Sequence, residues 1–232
     1  MVVIVVLVVS GALVAGALWG SYGPMGRRTE GFLVALAGGA LLLSVVTELI
    51  EPSLERSGLP ATVLGVAFGA ALFTGIDYLI DEKWNSSGGG GLLAAITLDG
   101  IPENLALGVA LIGAGVPEVA ALAGSILLSN LPEAAGGAKQ MVDSGHGKGK
   151  VIALWAGTAV LLSIAALAGN LLLADVSEHV LATVRCVAAG AVVASLATEV
   201  FPQAYREDHH WAGIATALGL LLALGLGELG GG

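Results

Sequence analysis

Apolar positions run on continuously for long stretches of this chain and are broken by short polar turns rich in Gly, Pro and charged residues. Such runs suit helices that cross a bilayer, whose hydrocarbon core of about 30 Å needs about 20 helical residues. Barrel strands would alternate apolar and polar side chains, and these runs do not alternate. The pattern predicts eight helices, the first from about Val2 to Trp19, the second from Gly31 to Ile50 and stopping before Pro52, the third from Ala61 to Ile80. Two central helices follow, Leu92 to Gly113 and Glu118 to Val142, the latter begun by Pro117 as a first-turn proline should begin one. The last three run from Val151 to Ala174, Val180 to Ala204 and Trp211 to Leu226. Asp81 to Gly91 and Asp143 to Lys150 are expected to be flexible turns. The first run has no basic segment before it, so it is read as a span and not as a signal peptide.

Composition strengthens this picture. The chain is 56% hydrophobic and 12% charged, about half the charge of a soluble domain, and its mean hydropathy is +0.91. Residues 1–232 are therefore expected to form a single all-α transmembrane domain in the cell membrane, multi-pass, with no soluble domain. The 36 glycines suit helices that pack backbone to backbone in lipid. Cys186 is the one cysteine, lies in an apolar run, and is assigned to packing. Trp19, Trp84, Trp155 and Trp211 fall near span ends and are expected as interfacial anchors.

Charge sets an orientation. With the N-terminus outside, the inner turns hold Arg27, Arg28, Lys83, Lys139, Lys148, Lys150 and Arg206, and the outer side only Arg56 and Arg185. The positive-inside rule then favours N-out and C-out. Helices two and seven, which run in opposite directions in that layout, resemble each other. Gly39-Ala40, Thr47-Glu48 and Pro52 are echoed by Gly190-Ala191, Thr198-Glu199 and Pro202. This predicts an inverted repeat of helices 1–3 against 6–8 around the central pair, a 3+2+3 plan common among transporters.

Net charge is −9, and several of the acids lie inside the spans. Leu98 to Leu105 reads Leu-Asp-Gly-Ile-Pro-Glu-Asn-Leu, and 30 residues later Leu128 to Ala135 reads Leu-Ser-Asn-Leu-Pro-Glu-Ala-Ala. Glu103 and Glu133 each follow a potential ligand, Asp99 or Ser129, by four residues and so share a helix face with it. Pro102 and Pro132 supply no N–H to the carbonyls of Leu98 and Leu128, which become further oxygen ligands. A carboxylate in hydrocarbon costs several kcal/mol unless it is paired, faces a cavity or binds a cation. No Lys or Arg occurs between Lys83 and Lys139, so no base on these segments can pair with the acids. Three acids with Asn104 and Asn130 around two prolines point to a cation site, and oxygen ligands suit hard or borderline divalent metals. Glu48 is placed toward the outer mouth and Glu199 toward the inner one, lining the pathway. His146, His209 and His210 sit in inner turns beside acids, where metal could be collected, although solvated loop histidines are the commoner arrangement.

The paired Pro-Glu motifs, the eight-span plan and the Thr-Glu…Pro segments resemble the ZIP (Zrt/Irt-like protein) family of divalent-metal transporters, in particular its short bacterial zinc-uptake branch. The family motif commonly reads His-Asn-x-Pro-Glu-Gly and builds a metal site, often binuclear, at the membrane midplane. The resemblance implies metal roles for Glu103 and Glu133, and Asn130 matches the polar position of the second motif. Asp99 and Ser129 stand where the family usually has His, Gly100 replaces Asn, and Asn104 and Ala134 replace Gly. The implied function is transport of a divalent cation toward the cytoplasm, zinc above all, with Mn²⁺, Fe²⁺ and Co²⁺ competing at a site of hard oxygens. The metal is cargo and no further cofactor is expected. The expected partners are metal ions and the bilayer, with a homodimer compatible and no nucleic acid. The alternative is an intramembrane metal-dependent hydrolase, with Asp99, Glu103 and Glu133 holding a catalytic ion. Against an enzyme, the spans contain no histidine and no His-Glu-x-x-His pattern.

Overall fold

A computed structural model describes residues 2–24, 26–84, 100–101, 103–105, 107–112 and 115–230. At residues 2, 80–84, 116–122, 125, 128, 226 and 229–230 it describes the backbone alone. All regular structure among the described residues is helical. In chain order the helices are α1 (Val2–Tyr22), α2 (Arg27–Val45), α3 (Glu51–Trp84), α4 (helical at 100–101, 103–105 and 107–110) and α5 (Val116–Asp143). They continue with α6 (Lys148–Leu173), α7 (Glu178–Ser195), α8 (Phe201–Asp208) and α9 (Ala212–Gly230). Among the described residues, four stretches are long and apolar enough to cross a membrane, namely Val3–Tyr22, Arg27–Leu79, Lys148–Leu173 and Glu178–Asp208. Large apolar side chains are exposed along α1, α3, α6 and α9, among them Ile4, Leu64, Phe68, Leu171 and Leu221. An outer face of this kind suits lipid and would be penalised in water.

The second helix does not stop before Pro52. A π-helical turn at Val46–Ile50 joins α2 to α3 without interruption, and the chain passes through Pro52 before breaking at Gly58. There φ is 73° and ψ is 168°, a conformation closed to residues with a Cβ, and Pro60 follows as the helix restarts. The wider turn brings the amide of Glu51 to the carbonyl of Val46, relieving the crowding that Pro52 imposes on a regular α-helix. The seventh predicted helix behaves alike. A π turn at Leu196–Val200 links α7 to α8 across Pro202, with the Phe201 amide on the Leu196 carbonyl. It ends at Asp208, four residues beyond the predicted Ala204. A single proline therefore marks a bulge in each helix and not its end.

The turn after α5 is compact and not a flexible linker. The His146 and Gly145 amides reach back to the carbonyls of Met141 and Val142, the double closure of a Schellman cap, with Gly145 at φ 92°. The other polar turn predicted as flexible, Asp81 to Gly91, lies largely outside the described residues.

Glycine positions the helices. α2 packs on α9 and α3 on α7, and the two interfaces use corresponding residues. A Cβ on Gly39 would overlap the Thr216 carbonyl oxygen, and one on Gly219 that of Leu36. Across the other interface, Gly190 sits on the Val66 carbonyl and Gly69 on that of Val187. Gly65 abuts Cys186, which is buried and unbridged, as a packing residue should be. α1 lies along α5 through Gly16 and Gly20, and α4 along α6 through Gly108 and Gly169. Asn170 Nδ2 donates to the Gly108 carbonyl at 3.0 Å, and the Ser10 and Ser163 hydroxyls join α1 to α6.

Trp155 is no interfacial anchor. It is fully buried in a cluster with Leu13 of α1, Met141 of α5 and Val151 of its own helix. Small neighbours, Ala17, Ala134 and Ala138, leave the volume that its indole fills. Trp211 is exposed, and the side chain of Trp84 lies outside the described residues.

Candidate metal centre

The two motif glutamates meet in one cavity. Glu103 from α4 and Glu133 and Ser129 from α5 line a space of about 90 Å³ together with Glu199 and Gln203, room for a few waters or an ion that keeps part of its hydration. Four-residue spacing puts Ser129 and Glu133 on one face of α5, and Pro132 sits inside that helix without ending it. Glu103 is 8% exposed and Ser129 5%, and the single Ser129 hydroxyl proton is shared between Glu103 Oε1 at 3.1 Å and the Ile126 carbonyl at 2.9 Å. The α4 motif residue is thereby fixed against the α5 motif residue.

Asp99 and Pro102 lie outside the described residues. Asn130 is brought elsewhere. One residue round the helix from Ser129, it faces α1 and its Nδ2 donates to the Val9 carbonyl at 3.4 Å. It is 2% exposed and is absent from the lining of the cavity. Asn104 likewise turns inward on its own helix, with Nδ2 donating to the Gly100 carbonyl at 2.9 Å. Among the described residues, no three His, Cys, Asp or Glu side chains converge closely enough to hold a metal ion. The described part of the site is a pair of motif carboxylates with a hydroxyl, an amide and the Glu199 carboxylate in the same cavity.

Glu48 and Glu199 are equivalent in sequence and differ in place. Glu199 lines the central cavity and also a wider vestibule of about 430 Å³ that shares Gln140 and Gln203 with it. It therefore belongs to the wall of the centre as well as to the mouth. Glu48 lines neither space, and the hydroxyl of its neighbour Thr47 lies 3.4 Å from Glu48 Oε1 and 3.2 Å from the Leu43 carbonyl. Glu48 is the third residue of its π turn and Glu199 the fourth of its own, so the two halves slip by one residue at these bulges.

A second, tighter space touches Glu103 from the other side. It is about 20 Å³, nearly all apolar, and is lined by Leu41, Ser44, Val45 and Leu49 with Leu107 and Val192. The α2 residues here correspond by repeat to Val192, Ser195, Leu196 and Val200, which line the central cavity. Beyond it, Arg185 of α7 donates from a terminal guanidinium nitrogen to the Val109 carbonyl of α4 at 3.3 Å. The loop histidines do not converge on these spaces. His146 is held at the α5 cap with Nδ1 3.1 Å from the Met141 carbonyl, and the His209 and His210 rings lie 4.2 Å apart beside Tyr205.

Gln203, Gln140 and Ser195 were not singled out in the sequence. Gln203 follows the repeat proline directly and Ser195 repeats Ser44 at the Gly39-to-Gly190 offset, a signal available in the internal repeat. Searches with protein-family models and against curated proteins find no match to this chain.

Proposed function

We propose that this chain is a divalent metal cation transporter of the ZIP type, zinc being the leading cargo and Mn²⁺, Fe²⁺ and Co²⁺ its competitors. Its spans are read as a 3+2+3 arrangement of eight, N-out and C-out, in the cell membrane, with helices 1–3 and 6–8 as inverted repeats. The observation that carries the reading is the position of Glu103. This buried carboxylate touches two spaces lined by corresponding residues of the two halves, one of about 90 Å³ that holds the other carboxylates and shares residues with a vestibule, the other of about 20 Å³ and nearly all apolar. Alternating access asks for such a pair of half-pathways around a fixed site. Reciprocal glycine contacts support it, because exchanging α2 with α7 and α9 with α3 turns one interface into the other. On the positive-inside count, the vestibule with Arg27, Lys139 and Arg206 is the cytoplasmic side.

Glu103 and Glu133 would hold the ion with Ser129, Asp99 completing the ligands, and Glu199 would receive it toward the vestibule. The test is flux of radioactive zinc into proteoliposomes with Mn²⁺, Fe²⁺ and Co²⁺ as competitors. Saturable uptake above protein-free vesicles is expected. Binding of metal without any movement of it would overturn transport, and is what a metal-dependent hydrolase would give.

A further inference from the structure

The vestibule contains a carboxylate that the central site does not use. Glu30, in the first turn of α2, is 6% exposed and lines the vestibule wall, yet among the described residues no hydrogen bond or ion pair reaches it. Its carboxyl group occupies a recess on α5 that exists because residue 136 is glycine. A Cβ there would lie 2.9 Å from Glu30 Oε1. Gly31 performs the matching service toward α8, where an added Cβ would lie 2.8 Å from that of Glu207, so the two acids are drawn to adjoining positions. Glu207 also lines the vestibule.

The bases nearby do not neutralise this pair. Charged groups facing Glu30 are Glu207, Lys139, Asp143 and Arg27. Lys139 is committed to Asp143, with Nζ 2.7 Å from the carboxylate one turn along α5. Arg27 meets Glu207 only at 4.0 Å with its own side chain 83% exposed, a pair worth little. The N-terminal turn of α2 favours a negative charge at Glu30, whereas burial and Glu207 oppose it, a cost that a bound cation would offset.

We propose that Glu30 and Glu207 hold a hydrated divalent cation in the vestibule, a second site distinct from the one at Glu103 and Glu133. Two carboxylates with the remaining positions left to water make a weak, oxygen-only site for a hard ion. Weak binding is what a relay needs, since an ion must leave each site as readily as it enters. As a relay the site rests on the transport reading, but as a binding site it stands apart from it.

The test uses the full chain in detergent with Mn²⁺ as probe, free and bound ion being separated by electron paramagnetic resonance. Glu103→Gln combined with Glu133→Gln removes the central ligands and is expected to leave one weak Mn²⁺ site. Adding Glu30→Gln to that pair is expected to abolish it. Gly136→Ala, added instead, keeps every ligand but displaces the Glu30 carboxyl group and should weaken the site about tenfold, as misoriented ligands do. Should Glu30→Gln fail to give monodisperse protein, Gly136→Ala carries the test alone. No Mn²⁺ bound by the central double variant, or binding indifferent to both Glu30→Gln and Gly136→Ala, would overturn the site. Glu30-dependent binding in a protein that shows no flux would sustain the site and overturn transport, whereas flux without that binding overturns the site alone.

Discussion

Glu103 and Glu133 show how the setting of a carboxylate decides its use. Glu103 is buried and receives one hydrogen bond, from Ser129, which leaves its second oxygen without a hydrogen-bond donor among the described residues. A buried carboxylate with that much unused acceptor capacity needs a cation or a proton. Glu103→Gln and Glu133→Gln each keep size and replace a charged ligand by a neutral one, so metal uptake should fall to the level of empty vesicles while the protein elutes as wild type. Wild-type flux in either variant would remove these residues from the pathway. Asn130 teaches the reverse lesson. It stands beside Ser129 in the sequence, but the 100° step of the helix sends it to the α1 backbone, where it ties two helices together.

At the scale of elements, the two π turns are the distinctive feature. Each accommodates a proline that a regular α-helix would accept only with a kink, and each carries a Thr-Glu pair. Restoring an amide in the second bulge, by Pro202→Ala, allows the helix to close into α geometry and withdraws Glu199 from the cavity wall. Transport should slow several-fold with metal binding at Glu103 and Glu133 retained, a separation visible by comparing flux with equilibrium Mn²⁺ binding. Interfaces of glycine on carbonyl are equally specific to elements. Gly39→Ala forces α2 away from Thr216, and Gly190→Ala forces α7 away from Val66. Overpacking of this kind costs about 1–3 kcal/mol, so each variant should unfold at lower temperature in detergent. Gly157, whose Cβ would meet nothing, offers the control: Gly157→Ala should not lower the midpoint.

For the whole molecule, Glu103 lies between a wider space that holds carboxylates and a narrow apolar one. The wider space continues past Gln203 and Glu199 into the vestibule, and the narrow one is lined by Leu41, Val45, Leu49 and Leu107 with the buried Ser44. In a Cys186→Ser background, Gln203→Cys should therefore react quickly with a charged thiol reagent and Ser44→Cys slowly. Equal rates would mean that the apolar space is no barrier. Arg185 ties α7 to the Val109 carbonyl of α4, so Arg185→Ala should loosen that contact and raise the rate at Ser44→Cys selectively.

The sequence by itself determined the helical class, the polar breaks, the pairing of Ser129 with Glu133 and the equivalence of the Thr-Glu segments, because these follow from local periodicity and from spacings along one helix. It also identified Cys186 as a packing residue, since an isolated thiol in an apolar run has little else to do. What it could not decide depends on which elements meet. Pro52 read as a terminator until the π turn absorbed it, and Gly58 took over that role through its positive φ. Trp155 read as an anchor because its distance from a span end is visible in sequence, whereas the alanines of α1 and α5 that enclose it come from remote segments. Glu48 and Glu199 stand nine residues after equivalent glycines, and the repeat separates them only by the distance to the following proline, four residues for Glu48 and three for Glu199. Only the tertiary structure assigned one of them to a cavity, because cavities form between helices, and a one-residue slip across a bulge together with one-sided packing is enough to separate two positions that a repeat makes equal.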